Sequence, residues 1–510
     1  MKKIISILLC VLMSFLTLSS CGNSENKRES QTIDDTVSIK LPVSRMDSFN
    51  PYFCETDYNS EISSLLYDGL VRIQDDLSYK NAVASGINQN ENSISATIRG
   101  DAFFSDNTRV TSSDVLYSFN IAKESPNYEK KLENFESCTT VGDISVSFTL
   151  KENNIFAVNC LDFPIIKSPK QSSKDDEKLN EDELKSTVPT GCGRYKFEDE
   201  TYETLTLNEY WYGEDLPNIR RIKLVNLIDT NAAVNSMETG NISYLFQDLS
   251  SGVYNRVNAF TSKILMTNLV YLGINSFSKC LTKPEARQAI MLVIDREKIA
   301  ENSFLSNAKA TSTPFYPNWK ELGSLYFDKR DFEEDLLEAN MLLDKAGYLE
   351  KDSFSMRTSD DVKLKLLVNS DNAYKVAAAN EIAESLKAVG ITVTVSSVSF
   401  EDYKTKLGQV DYDLYIGEVK LPDDMSLNVF FGENGAATYG INKDADMVSV
   451  YKQFRAGKIT LQRFIDYFNV YLPFIPICYR FGIASYTNEM TYKTEGTHSD
   501  IYNGIYTWEY

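Results

Sequence analysis

The residues of this chain that could do chemistry are few, and their types and spacing favour binding over catalysis. Asp423 and Asp424 are adjacent carboxylates a few residues beyond Glu418. An acid/base pair for hydrolysis needs two carboxyls flanking one scissile bond, and adjacent residues rarely face the same substrate. The chain has a single histidine, His498. One imidazole excludes a multi-histidine metal site and leaves a Ser-His-Asp arrangement almost no room. Near the C-terminus, His498 reads as a surface-loop residue. Of eight cysteines, Cys10 and Cys21 lie near the start, and Cys54, Cys138, Cys160, Cys192, Cys280 and Cys478 contain no C-x-x-C pair. That spacing offers no metal site, and it does not choose between disulfides and buried thiols. Residues 189–197, P-T-G-C-G-R-Y-K-F, form a glycine-rich turn into further strand, so they are no dinucleotide loop. Cys192 within it has no histidine nearby in sequence to activate it. No enzyme, cofactor or metal centre is expected.

Composition sets the frame for such a binder. At 510 residues the chain exceeds a single hydrophobic core and implies at least two lobes. Hydrophobic residues make up 43% and aromatic residues 12%, enough for a large core with aromatics left over for a cleft. The formal net charge of −20, with no basic stripe, argues against a nucleic-acid partner and fits a solvated acidic surface. Lys2 and Lys3 precede an apolar run over 4–18 and small residues before Cys21, the pattern of a secretory signal too short to span a membrane comfortably. The L-S-S-C ending at Cys21 resembles the lipobox of bacterial lipoproteins, which implies a diacylglycerol anchor on Cys21. The polar stretch that follows, to Asp35, reads as a tether.

Several elements can be placed from periodicity. Helices are expected over 61–67, 115–119, 232–239, 335–346, 377–389 and 400–407. Strands are expected over 37–41, 93–99, 221–227, 269–274, 364–368, 391–398 and 411–416. Thr111 and Asp114 form a capping-box variant, and Gly240, Gly347 and Gly390 stand where helices should stop. Residues 167–185 are charged and serine-rich, an exposed loop or short solvated helix. Strand-helix alternation argues for an α/β lobe.

At residues 271–299 the order is strand, Asn275, short loop, P-E-A-R-Q-A-I and then I-D-R. It resembles the central signature of the family 5 extracellular solute-binding proteins, the oligopeptide, dipeptide and nickel receptors of ABC importers. S-F-N-P-Y followed by L-Y-D-G-L-V-R-I, and the turn at Gly191, Cys192 and Gly193, extend the likeness from about residue 37 to the C-terminus. The resemblance implies an α/β, class II periplasmic-binding-protein-like fold. Two lobes are joined by hinge strands, with an additional α/β subdomain inserted in the first lobe. It divides the chain into signal peptide 1–20, lipidated tether 21–36, lobe I over 37–58, 187–268 and 479–510, subdomain 59–186, and lobe II over 269–478. Asn275, Arg287 and Asp295 then belong to the structural signature, with hinges near 269–274 and 472–478.

Ligands of two-lobed α/β proteins sit in the crevice at the carboxyl ends of strands. That points to the loops carrying Ser44, Arg45, Asn369 and Phe400. Peptide-binding members of the family hold the ligand ammonium with an aspartate just beyond D-Y-D-L-x-x-G. Here Glu418 replaces the usual tryptophan, Leu421 stands near the aspartate's place, and Asp423 and Asp424 are shifted beyond it, so Glu418, Asp423 and Asp424 are the candidate carboxylates for a ligand ammonium. The arginine clamp of dipeptide receptors is replaced by N-S-D-N-A at 369–373. Phe400, Tyr439 and Tyr316 are candidate pocket aromatics. The implied function is a monomeric, lipid-anchored receptor on the extracytoplasmic face of the bacterial cell membrane. It captures peptides, oligopeptides foremost, and delivers them to ABC permease subunits. The alternatives are a peptide-signal receptor without import, or a receptor for a non-peptide solute such as a nickel chelate, against which the single histidine speaks.

Overall fold

The computed structural model describes residues 38–169, 181–214, 217–325, 332–442, 445–490 and 495–509. The signal, Cys21, the tether and residues 170–180 of the charged stretch lie outside these. Among the described residues no helix is long and apolar enough to cross a membrane.

The described chain opens with β1 (Ser38–Val43) and α1 (Asp57–Leu66), whose Ile62, Leu65 and Leu66 are buried. A short ribbon, β2 (Val71–Ile73) and β3 (Tyr79–Asn81), leads to β4 (Ala84–Asn90), β5 (Ser93–Ile98), α2 (Ser112–Glu124), β6 (Phe135–Thr140) and β7 (Ser145–Leu150). These last four strands make an antiparallel sheet in the order β4-β5-β7-β6. Against it packs a cluster of Phe119, Phe135, Phe148 and Phe163 with ring centroids 5.4–6.4 Å apart. Asp114 closes the start of α2, accepting from both the Thr111 amide (2.9 Å) and its hydroxyl (2.6 Å).

The chain then returns to β1 through β8 (Tyr195–Phe197), β9 (Thr204–Leu207) and β10 (Arg221–Asn226), in the sheet order β1-β10-β9-β8 with β1 parallel to β10. After α3 (Thr230–Glu238) and β11 (Tyr244–Gln247) comes the long strand β12 (Phe260–Ile274). Every residue of β12 from Ile264 onward is buried, which explains why that part is apolar apart from Thr267 and Asn268.

The chain continues with α4 (Pro284–Val293), β13 (Ala308–Ala310), α5 (Phe332–Lys345), β14 (Lys363–Asn369), α6 (Ala373–Lys387), β15 (Thr392–Val398), α7 (Phe400–Gln409), β16 (Leu414–Lys420), α8 (Ala445–Arg455) and α9 (Leu461–Tyr471). Finally β17 (Phe474–Tyr486) runs back antiparallel to β12, pairing from Phe260↔Tyr486 to Gly273↔Phe474 with register shifts between Leu265 and Leu269 and between Val270 and Tyr271. One sheet thus has the order β11-β17-β12-β16-β14-β15, with β13 on β17. Arg287, Asn275 and Asp295 make contacts beside it. Arg287 donates to the carbonyls of Tyr471 (2.9 and 2.7 Å) and Leu281 (2.7 Å), tying α4 to the end of α9. Asn275 donates to the Tyr412 carbonyl (3.1 Å), and Asp295 caps the helical turn after it through the Lys298 amide (3.0 Å).

Candidate functional site

The parallel strands β14, β15 and β16 end at the place where the sequence puts the ligand crevice. β14 stays paired with β15 as far as Asn369↔Val398, but it pairs with β16 only at Leu366↔Leu414 and Leu367↔Tyr415. Beyond Tyr415 the two strands part. On its other side β16 remains zipped to β12 through Lys420↔Asn268. Backbone groups of successive strand residues point to opposite edges. Leu421 donates to Thr267 on the β12 side (3.0 Å), whereas the Ile416 carbonyl accepts from the Tyr403 hydroxyl on the other (2.7 Å). By that alternation the amides and carbonyls of Glu418 and Lys420 face the edge that β14 has left. Gly417 lies between them because the Tyr271 ring covers it: a Cβ there would sit 2.4 Å from the ring.

Three of the sequence-derived candidates meet at this edge. Asn369 ends β14 and closes the next turn, its Oδ1 accepting from the Asp371 amide (3.0 Å). Phe400 opens α7 with its ring half exposed, its amide donating to Asp371 (3.1 Å). Glu418 projects from β16, its side chain only 6% exposed, with Lys375 Nζ at 2.7 Å and Arg480 Nη1 at 3.8 Å. Across from the strand end, Asp57 and Glu61 of α1 and Asp248 after β11 face Lys420. Burial, then the charge of Asp248, raises the Asp57 carboxyl, and Lys420 partly offsets this. Burial, with Asp57 and Asp248, holds Glu61 well above the usual carboxylate range. The loop after β11 also touches the start of α6 here. Asn372 caps α6 (Lys375 amide, 3.1 Å) and donates to the Ser250 carbonyl (3.1 Å), with Gly252 packed against it at φ +86°.

The remaining candidates lie elsewhere. Asp423 and Asp424 are buried, each committed to protein partners. Asp423 meets Lys131 Nζ (2.7 Å) and His498 Nε2 (3.0 Å), and Lys131 also binds Asp162 (2.6 Å). Asp424 pairs with Arg455 and accepts from Asn154 Nδ2 (2.8 Å). A ligand amine would have to displace these cations. Ser44 is buried, its amide donating to Asn59 Oδ1 (2.9 Å), and Arg45 pairs with Glu203 (3.0 Å). Both line a first-lobe groove of about 720 Å³ beside Phe49, Phe53 and Tyr202. Tyr439 is partly exposed beside the amino end of β16, where the Ser276 amide donates to the Gly440 carbonyl (2.9 Å).

Two expectations need correcting. His498 is no surface residue: it is 7% exposed, packed on the Tyr316 ring and bonded to Asp423, because the C-terminal segment folds back into the molecule. Tyr316 belongs to the core, fully buried, its hydroxyl donating to the Leu265 carbonyl (3.0 Å). The six cysteines left open are free and buried, and burial pushes the Cys54 thiol up to about 11 and that of Cys192 up to about 12. Among the described residues no group of His, Cys, Asp or Glu could hold a metal ion.

Sequence reasoning missed Lys375, Arg480, Asp57, Glu61 and Asp248. Arg480 had a signal: it is the one charge in the apolar stretch F-I-P-I-C-Y-R-F-G-I-A.

The family model for bacterial extracellular solute-binding proteins, family 5, matches residues 78–437. The chain belongs to that family. The oligopeptide-binding protein AppA of Bacillus subtilis is 24% identical over 441 residues, which cover 81% of this chain and 79% of AppA. The nickel-binding protein NikA of Staphylococcus aureus is 22% identical over 416 residues, covering 79% and 77% of the two chains. The structure of Bacillus subtilis AppA in complex with a nonapeptide superposes with a TM-score of 0.60 at 19% identity, over 92% of this chain and 98% of that one. This family 5 chain therefore has the two-lobed periplasmic-binding fold, and family 5 proteins are substrate receptors of ABC importers rather than enzymes.

Proposed function

We propose that this family 5 receptor captures peptides in its interlobe crevice and delivers them to ABC permease subunits. It acts as a monomer held to the extracytoplasmic face of the cell membrane by a lipid on Cys21. The observation that carries the peptide class is the open edge of β16 beyond Tyr415. A peptide backbone can add to such an edge as a strand and be held whatever its side chains, which suits a receptor for many sequences. Asn369, Phe400 and Glu418 bound the space where side chains and chain ends would lie. Asp423 and Asp424 serve as struts that tie the segment after β16 to the inserted subdomain and the C-terminal segment. The lobes hinge where β12 and β17 cross, dividing lobe I (37–58, 187–268, 479–510) and its subdomain (59–186) from lobe II (269–478).

The reading is tested by melting the purified receptor with a mixed peptide pool and, separately, with the same amino acids free. A peptide that binds only the folded state raises the melting temperature as its concentration rises. Peptides should do so and free amino acids should not. No shift with peptides, or equal shifts with both, would refute it.

A further inference from the structure

Solitary apolar side chains on a surface need no explanation, but clusters of them do. Between residues 337 and 354 four large apolar side chains stand exposed: Leu337, Met341, Leu349 and Phe354, the last at 83%. No other stretch of that length among the described residues gathers as many. Leu337 and Met341 lie one turn apart on α5, opposite the buried Ala339 and Leu343. Phe354 crowns a hairpin whose arms pair at Lys351↔Arg357. Arg357 is buried and pins that hairpin to α5, donating to the Asn340 carbonyl (3.2 Å), Asn340 Oδ1 (3.0 Å) and Asp344 (2.6 Å). It also donates to the Val389 carbonyl (2.9 Å). Lys351 Nζ donates to the same Asn340 Oδ1 (2.9 Å), so the hairpin is held beside the turn of α5 that carries Met341. Gly390, just before β15, packs on Ser355 and Arg357, which places this face at the amino ends of β14 and β15. The ligand candidates Asn369 and Phe400 follow the carboxyl ends of the same strands.

The surroundings are acidic. Residues 333–354 carry seven carboxylates and two lysines. Both lysines are engaged, Lys345 with Glu285 (3.3 Å) and Lys351 with Asn340. An anionic bilayer would be repelled by such a face, and a second copy would bring acid against acid. Leucine, methionine and phenylalanine among carboxylates complement a segment with apolar side chains on one side and cations flanking them. We propose that the α5 face docks a basic amphipathic helix of a partner protein. Its apolar side chains pack on Leu337, Met341 and Phe354, and its lysines or arginines meet the surrounding carboxylates. The 14 residues of α5 offer a bed about 21 Å long, close to four turns of such a helix. Docking here is independent of what the crevice holds, so ligand and partner can be bound together.

Fluorescence anisotropy of a labelled leucine-lysine helix of the length of α5, with leucine on one face, tests it in the presence of the mixed peptide pool. A peptide of the same composition in scrambled order reports charge attraction alone. The patterned helix should bind at least about 10-fold more tightly than the scramble. Met341→Ser combined with Phe354→Ser, both at exposed sites, should weaken the patterned helix about 10-fold and leave the melting temperature unchanged. Equal binding of patterned and scrambled peptides would overturn the inference. So would a patterned helix that binds the double variant as tightly as the unaltered receptor. Sedimentation showing an unaltered dimer that the double variant loses would also overturn it, because a second copy would then cover the face.

Discussion

Asp423 shows how a carboxylate that sequence marks as available becomes committed in the fold. Burial alone would raise its pKa, but the charge of Lys131 and the hydrogen bond from His498 outweigh burial and hold it well below the usual range. Asp162, which shares Lys131, is pushed the other way by burial. Replacing Lys131 with Met would leave two buried carboxylates facing each other without their cation. The expected cost is about 3–5 kcal/mol, measurable by urea denaturation near neutral pH. The pH dependence has a definite sign. A carboxyl whose folded pKa lies below its unfolded value of about 3.9 stabilises fully above that pH and loses its contribution as pH falls toward the folded value. The unaltered receptor should therefore lose stability below about pH 4 more steeply than Lys131→Met. Equal slopes would show that Lys131 does not hold the carboxylate ionised. The types of Asp423, Asp424 and Glu418 were legible in sequence, but their partners were not. Lys131 lies 292 residues from Asp423, and no local pattern links the two.

At the level of elements, apolar periodicity and glycine stops made α1 to α3, α5 to α7 and the strands around the long β12 legible, whereas β6, β7, β11, α8 and α9 were not anticipated. The informative miss is β16. D-Y-D-L-Y-I suggests a strand over 411–416, yet the strand runs Leu414–Lys420. Asp413 instead accepts from the Lys365 amide (2.7 Å) and Lys279 (2.9 Å) as the chain enters the sheet. The polar end, G-E-V-K, continues the strand without an apolar pattern because it borders the crevice rather than a core. Its open edge can be probed one amide at a time. Lys420→Pro and Lys420→Met both remove the charge, but only Pro removes the N–H aimed at the open edge, and Pro is tolerated at such edges. Peptide affinity should be about 2- to 10-fold weaker for Pro than for Met, as befits one backbone hydrogen bond. Equal affinities would mean that the ligand does not pair with this edge.

For the whole molecule, length demanded more than one core, and the apolar stretches 269–274 and 472–478 were both expected as crossings between lobes. In the structure they belong to two long strands, β12 and β17, that run side by side. What sequence could not reveal is the charge cluster near the end of β16: Lys375, Arg480, Glu418, Asp57, Glu61 and Asp248 come from five separate stretches and approach one another only when the chain is folded. A receptor that closes over its ligand at such a place should release it slowly, so peptides from the producing cells should survive purification. Native mass spectrometry of the receptor, purified without added ligand, tests peptide capture most directly. A ladder of adducts spaced by amino-acid residue masses is the expected result. A single non-peptide adduct, or bare protein that stays bare after incubation with mixed peptides, would contradict it.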